Sequence, residues 1–128
     1  RSEAIKRASR VAICPSSDGT SCLTSSDWAE GWLIFVDTSA SDSLTPVLGT
    51  VLNHWNKIDS KAIVTLKNGS TSVGYLKFNS RGMLARSDAT DTGQRTFDAY
   101  ITGCKGKVRQ QIKVGLAGTL NASKTDCP

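Results

Sequence analysis

The sequence predicts an α+β fold, in which one N-terminal helix packs against antiparallel β-sheet, arranged either as one sheet or as two small ones. Three observations indicate this fold. A short helical pattern opens the chain, a series of short β-rich segments follows it, and no long linker or internal repeat interrupts them. A length of 128 residues is typical of one domain. We therefore expect a single domain over residues 1–128, with helix over 1–10 and a β-rich head over 11–128.

The helix is predicted from apolar residues that recur at spacings of three and four. Ala4, Ile5, Ala8 and Val11 share one side of a helical wheel, and the charged residues occupy the rest. Alanine, glutamate, lysine and arginine favour helix, and Pro15 ends any continuation. The segment begins without Met and without a capping residue, so we expect it to be the end of a longer helix.

The remainder of the chain has the composition of short strands separated by turns. Residues 32–36 (WLIFV) form an apolar run of the kind found in a buried strand. Residues 62–78 are predicted as a hairpin, because Asn68-Gly69 supplies the positive φ angles of a tight turn. Residues 47–58 fit a strand or a helix, and this alternative stays open. Further strands are predicted in VAIC (11–14), RTFDAYITGC (95–104), VRQQIKVG (108–115) and GTLNAS (118–123).

Four cysteines in so short a chain indicate two disulfides and an oxidising compartment. The spacing favours Cys14 with Cys22, since the turn residues between them bring the two ends together. Cys104 then pairs with Cys127 and holds the C-terminal tail against an interior strand. Three pairings remain open on cysteine count alone. A zinc site is disfavoured, because no Cys-x-x-Cys pair is present and the only histidine lies far from any cysteine.

The charge of the chain permits an anionic partner without indicating one. The net charge is +5, and the cations concentrate in residues 1–10 and in residues 105–113. In the second segment Lys105, Lys107, Arg109 and Lys113 are the candidate contacts to DNA. A solvated face is the default interpretation of such a run.

No pattern in the sequence predicts an enzyme. His54 is the only histidine, and no nucleophile signature surrounds any serine, so a structural role is favoured for it. No phosphate-binding motif or EF-hand spacing is present. No apolar run reaches the roughly 20 residues of a membrane helix. We predict no catalytic residues, no metal, no cofactor and no small-molecule substrate.

The first third of the chain resembles the GspH/FimT family of type IV pilin-like proteins. The resemblance rests on RSEAIKR, followed by the strand VAIC, a second nearby cysteine, and then WAEGWLIFVD. LKFNSRGML and IKVGLAG are similar to later strands of the family, so the resemblance extends over most of the chain. The motif positions, which are expected to form a structural core, are Trp28, Gly31, Trp32, Phe35 and Asp37.

The resemblance implies a pilin-like fold and a structural role. Members are minor pilins or pseudopilins, anchored in the bacterial inner membrane by a long hydrophobic helix and exposed to the periplasm before they join an extracellular pilus. This chain resembles the head without the apolar half of that helix. The implied partners are other minor pilins and the major pilin, in the complex that starts fibre growth. An independent secreted binding module is the alternative outside this family.

Two roles within the family divide on a C-terminal motif. FimT-like members bind DNA for natural transformation through Gly-Arg-x-Arg after the last core strand, whereas FimU-like and GspH-like members serve pilus assembly and type II secretion. Here the aligned residues are Gly118, Thr119, Leu120 and Asn121, and both arginines are missing. Gly106-Lys-Val-Arg109 matches by composition, but it precedes the last apolar strand. The assembly role is therefore the favoured prediction, and DNA binding is the alternative.

Overall fold

The computed structural model describes residues 5, 7–23, 25–57, 60–86 and 93–128. Over these residues the chain forms two antiparallel sheets and one 3₁₀ turn. The first sheet has the strand order β3-β2-β1-β6 and the second has the order β5-β4-β7-β8-β9. The strands are β1 (Val11–Pro15), β2 (Gly31–Asp37), β3 (Leu48–Asn56), β4 (Ala62–Asn68), β5 (Thr71–Ser72), β6 (Leu76–Phe78), β7 (Arg95–Ile101), β8 (Arg109–Val114) and β9 (Leu120–Thr125).

The two sheets share one apolar core. Val11 and Phe78 enter it from the first sheet, and Leu66 and Val114 enter it from the second. Trp28 lies between the sheets, on the 3₁₀ turn Trp28–Glu30. A smaller buried cluster lies within the first sheet and is formed by Ala12, Cys14, Leu33 and Phe35. Alternate residues of β2 are buried, which is the period expected of a strand.

The predicted helix falls largely outside the described residues, since residues 1–4 and 6 are not among them. Ile5 and Arg7 are helical, and Ala8 has a φ of 50°. This left-handed conformation ends a helix, because the next residue no longer continues its hydrogen-bond pattern. Ile5 is exposed. The described residues therefore contain the end of a helical segment and do not show the helix as a whole.

Most of the predicted strands are found, and residues 47–58 resolve into a strand. β3 runs over Leu48–Asn56 and pairs with β2. The predicted hairpin over 62–78 is correct only at its turn, where Lys67 pairs with Ser72 and Asn68 with Thr71. The central turn residues are Gly69 and Ser70 rather than Asn68 and Gly69, and Gly69 alone has a positive φ, of 66°. A glycine at the first central position is typical of a type II′ turn.

The second arm of this hairpin leaves the sheet that it enters. β5 ends at Ser72, and the chain then crosses to the first sheet, where β6 pairs with β1. The sequence pattern of a β-rich arm is the same in both cases, so it does not show which sheet receives each part of it. The crossover places residues of one predicted hairpin in both sheets.

Candidate assembly and binding surfaces

Trp28 is the first of the motif positions and lies at the centre of the core. Its ring meets Phe97 edge to face, with centroids 5.1 Å apart, and its Nε1–H donates to the Val73 carbonyl at 3.2 Å. Both features are expected of a buried tryptophan, because the indole is apolar except for one donor that must be satisfied. Trp28 therefore joins the two sheets.

Gly31 occupies a position that no other residue can fill without displacement. Its φ is 115°, and a Cβ built there lies 2.5 Å from the Trp55 carbonyl oxygen and 2.8 Å from the Ser16 carbonyl oxygen. The Gly31 carbonyl also accepts a hydrogen bond from the Ser16 amide at 2.9 Å. The glycine of the motif thus permits a close backbone approach among three segments of the first sheet.

Trp32 lines an open apolar groove between the two sheets. Its ring stacks on Trp55 of β3, with centroids 5.9 Å apart and planes at 30°. The groove has a volume of about 280 Å³. The side chains that line it come from β1, β2, the 3₁₀ turn and the second sheet, and they are Ile13, Trp28, Trp32, Val64, Phe97, Ala99 and Ile112. An open apolar surface of this kind is typical of a site that another apolar element covers.

Asp37 ends β2 in a buried ion pair with Lys77 of β6. The Lys77 Nζ lies 2.7 Å from Asp37 Oδ2, and the two side chains are 1% and 0% exposed. Nζ also donates to Ser39 Oγ at 2.8 Å and to the carbonyls of Ser41 and Leu44 at 2.8 and 3.0 Å. A buried ammonium requires this number of acceptors, because burial removes its water.

The carboxylate of Asp37 holds the loop between β2 and β3. It accepts hydrogen bonds from the Ser39 and Val47 amides, both at 2.9 Å, and from Ser39 Oγ at 2.9 Å. Burial opposes ionisation of Asp37, but the hydrogen bonds from Lys77, Val47 and Ser39 outweigh burial, and the pKa of the carboxyl stays below its ordinary value. The Asp37–Lys77 pair is therefore charged at neutral pH and fixes residues 38–47 to the first sheet.

The predicted disulfides are confirmed: Cys14 pairs with Cys22, and Cys104 pairs with Cys127. Inside the first loop, Asp18 accepts hydrogen bonds from the amides of Thr20 and Ser21. These two bonds are the main reason that the pKa of Asp18 lies far below its ordinary value. The second bridge attaches the end of β9 to the loop between β7 and β8.

Removing the second bridge is expected to destabilise the head more than removing the first. Cys104 and Cys127 are 23 residues apart in sequence, whereas Cys14 and Cys22 are 8 apart. In the chain-entropy model the longer loop contributes about 3 kcal/mol, and the shorter loop contributes less. Urea unfolding of Cys104→Ala/Cys127→Ala and of Cys14→Ala/Cys22→Ala measures both losses. An equal or reversed order would contradict the expectation.

The four candidate DNA contacts do not form one patch. Lys105 and Lys107 are exposed in the loop between β7 and β8. Lys113 is exposed near the far end of β8, opposite Thr96. Between them, Arg109 is half-buried. Lys105, Lys107 and Lys113 make no ion pair with any of the described residues.

Arg109 is committed to neighbours on its own sheet. Its Nε donates to Asp98 Oδ1 at 2.7 Å, and its Nη2 contacts Asp98 Oδ2. The guanidinium also lies 5.5 Å from the centroid of the Tyr100 ring. The hydrogen bonds from Arg109 to Asp98 raise the pKa of the guanidinium. A guanidinium held by a carboxylate in two contacts is not free to bind a phosphate without losing them.

The C-terminal segment that aligns with the family's DNA-binding motif is a turn and a strand. Gly115 and Thr119 close the β8–β9 turn with a hydrogen bond from the Gly115 amide to the Thr119 carbonyl at 3.0 Å. β9 then pairs with β8 from Leu120 to Thr125. Paired on one side and bridged through Cys127, this segment is ordered rather than a free tail.

Several of these features are not evident from sequence. Lys77 resembles a solvent-facing lysine in an alternating strand, and nothing near it in sequence marks Asp37 as its partner. The Asp98–Arg109 pair requires the register of β7 on β8, and the groove requires the placement of one sheet on the other. Among the described residues no group of three or more histidine, cysteine or acidic side chains is arranged to hold a metal ion.

The two antiparallel sheets, the tryptophan core between them and the open groove define a pilin-like head. The family described as type II transport protein GspH matches residues 1–118, and the chain belongs to this family. Comparison with curated protein sequences gives no match. No helix in the described parts of the chain is long and apolar enough to cross a membrane.

Solved structures of a minor pilin have the same fold. Two crystal forms of the type IV minor pilin FimU of Pseudomonas aeruginosa (strain PAO1) superpose on this chain with TM-scores of 0.65 and 0.63. The sequence identity is 18% in both cases. The matches cover 95% of this chain and 75% and 79% of the two FimU chains.

Proposed function

We propose that this protein is a minor pilin, a structural assembly subunit of a type IV pilus that acts in the tip complex of minor pilins. The observation that carries the proposal is the similarity of the fold to FimU over 95% of this chain. The groove supports it, because an open apolar surface is suited to packing against another protein element. The proposed partners are other minor pilins and the major pilin, and the proposed role is packing and recognition without catalysis.

The N-terminal helix and the location of the protein belong to the same proposal. The helical pattern over residues 1–10 has an apolar stripe, and the groove offers an apolar surface for such a stripe. We place the helix against this face of the sheets, as the end of a longer helix that anchors the protein in the inner membrane. The head then lies in the periplasm before assembly and in the extracellular pilus afterwards.

A GspH-like pseudopilin of type II secretion is the second candidate, and the description of the matching family favours it. Deleting the gene in the bacterium that encodes it separates the two candidates, because pili and secreted enzymes are measured independently. We expect sheared surface pilin to fall while secretion is unchanged, with recovery on complementation. Loss of secretion with intact pili would assign the protein to type II secretion, and no change in either would contradict both roles.

A DNA-binding minor pilin is the third candidate, and the distribution of charge favours it. Residues 93–128 contain six lysine and arginine residues but only two aspartates, and so carry most of the net charge of +5. Of the four candidate residues, Lys105, Lys107 and Lys113 are exposed. Cations of this kind bind phosphates without regard to base sequence, with an affinity that salt reduces.

DNA binding is tested by titrating duplex DNA at two salt concentrations. If DNA is a ligand, Lys105→Ala/Lys107→Ala weakens binding and lowers the slope of log K on log salt by about 2, since each phosphate contact contributes nearly one unit. Arg109→Ala is the matched control, because Asp98 holds that guanidinium. Binding that is no tighter than millimolar, or that Arg109→Ala weakens as much as the lysine pair does, would contradict this use of the loop.

A further inference from the structure

The edge strand β3 is the longest free edge of the two sheets. β3 pairs with β2 on one side and has no strand on the other among the described residues. It has nine residues, whereas the other edge strands β5, β6 and β9 have two, three and six. An unpaired edge presents a row of amides and carbonyls that another strand can bind.

This edge lacks the protection that free edges usually carry. From Ser43 to Asn56 the chain contains no aspartate, glutamate, lysine or arginine, and β3 itself contains no proline. Edges are commonly guarded by such residues, lysine above all. The edge of the second sheet has this protection, since β9 contains Lys124.

The side chains of β3 are apolar and exposed on both faces of the sheet. Leu48 and Val51, 39% and 37% exposed, lie opposite Asp37 and Phe35. Trp55, 40% exposed, lies opposite Trp32 and so faces the groove. Residues directly opposite each other share a face. A strand laid beside β3 would therefore bury apolar surface on both of its faces.

The last four residues of β3 form a regular ladder. The two register shifts between β2 and β3 lie between Ile34 and Asp37. Beyond them Asn53–Asn56 pair without interruption with Gly31–Ile34. Here the His54 amide donates to the side chain of its own neighbour, with 2.8 Å between the amide nitrogen and Asn53 Oδ1. The Asn53 side chain thus occupies a donor that an added strand would otherwise use.

We propose that β3 is a strand-addition site for a second copy of this chain, which pairs its own β3 antiparallel to the first. Two copies of a chain with net charge +5 repel each other least where both present a segment without charged residues. The charged pairs Arg10–Asp42 and Lys57–Glu30 flank the strand at its opposite ends. An antiparallel arrangement brings each pair toward the other pair of the second copy, so that cations meet anions. The contact is two-fold and joins the two four-stranded sheets into one.

Two edge variants of equal charge test the site. Thr50→Lys/Asn53→Lys places two lysines on exposed positions of β3, and Asn121→Lys/Ser123→Lys places two on exposed positions of β9. Sedimentation equilibrium from about 10 μM to about 1 mM covers the range of weak association. We expect the unmodified protein and the β9 variant to dimerise alike. We expect the β3 variant to dimerise at least about tenfold more weakly, because each lysine then faces a lysine of the other copy.

Two results would overturn the proposal. One is an unmodified protein that stays monomeric across the whole range, and the other is a β9 variant that weakens association as much as the β3 variant does. Amide hydrogen exchange provides a second measurement, with slower exchange expected in Asn53–Asn56 at high concentration. The inference rests on the fold and not on the proposed function, since a monomer would leave the role in pilus assembly unaffected.

Discussion

Asp37→Ala is expected to lower the free energy of unfolding by about 3 to 5 kcal/mol, because it leaves the Lys77 ammonium buried without its counter-ion. It also removes the acceptor of the Ser39 and Val47 amides, so the loop over 38–47 loses its attachment. Urea unfolding monitored by tryptophan fluorescence measures the change. Asp42→Ala is the matched control, since Asp42 pairs with Arg10 in the same loop at a partly exposed site. The control is expected to cost no more than about 1 kcal/mol.

The same pair predicts how stability depends on pH. The pKa of Asp37 is lower in the folded protein than in the unfolded chain. The unfolded chain therefore takes up the proton first as pH falls, at about pH 4. The stabilisation from Asp37 is complete above that pH and is lost as pH falls through the folded pKa. Asp37→Asn/Lys77→Met is expected to lose less stability on acidification than the unmodified protein does. An Asp37→Ala variant as stable as Asp42→Ala would contradict the role assigned to the pair.

Gly31→Ala is expected to destabilise the head by about 2 to 5 kcal/mol, from a strained backbone conformation and from overpacking together. The added methyl group meets the carbonyl oxygens of Trp55 and Ser16 at 2.5 and 2.8 Å, and neither oxygen is at the end of a flexible side chain. Thermal unfolding followed by circular dichroism measures the effect. A variant that fails to accumulate as folded protein is the extreme of the same result.

Gly69→Ala separates the two causes of this effect. Gly69 also has a positive φ, of 66°, but a Cβ there meets no atom within 4 Å. Its replacement therefore tests backbone strain alone, for which about 1 kcal/mol is expected. If Gly31→Ala cost no more than Gly69→Ala, the close approach at Gly31 would not be what requires the glycine.

The local features of this fold could be predicted from sequence because short-range chemistry determines them. The turn-rich segment between Cys14 and Cys22 identified one bridge, and the remaining cysteines then gave the other. The apolar run over 32–36 correctly predicted a buried strand. Residues 47–58 were ambiguous because β3 lies at an edge, where its two faces are both partly exposed and neither helical nor strand periodicity is clear.

The features that sequence did not reveal depend on contacts between distant segments. The hairpin over 62–78 was wrong in its second arm, because the pattern of β-rich residues does not specify which sheet a strand joins. Lys77 was not recognised, since its burial depends on Asp37, 40 residues away. Arg109 was predicted as a DNA contact, and only the register of β7 and β8 places Asp98 within reach of it.

The content of the pilus itself tests the central claim most directly. Pili sheared from cells that carry an epitope-tagged copy at the native locus are purified and probed for the protein. An assembly subunit of the tip complex is expected in this fraction, in an amount far below that of the major pilin. Pili of normal number and length that lack the protein, with all of it remaining in the cell envelope, would contradict its assignment as a pilus subunit.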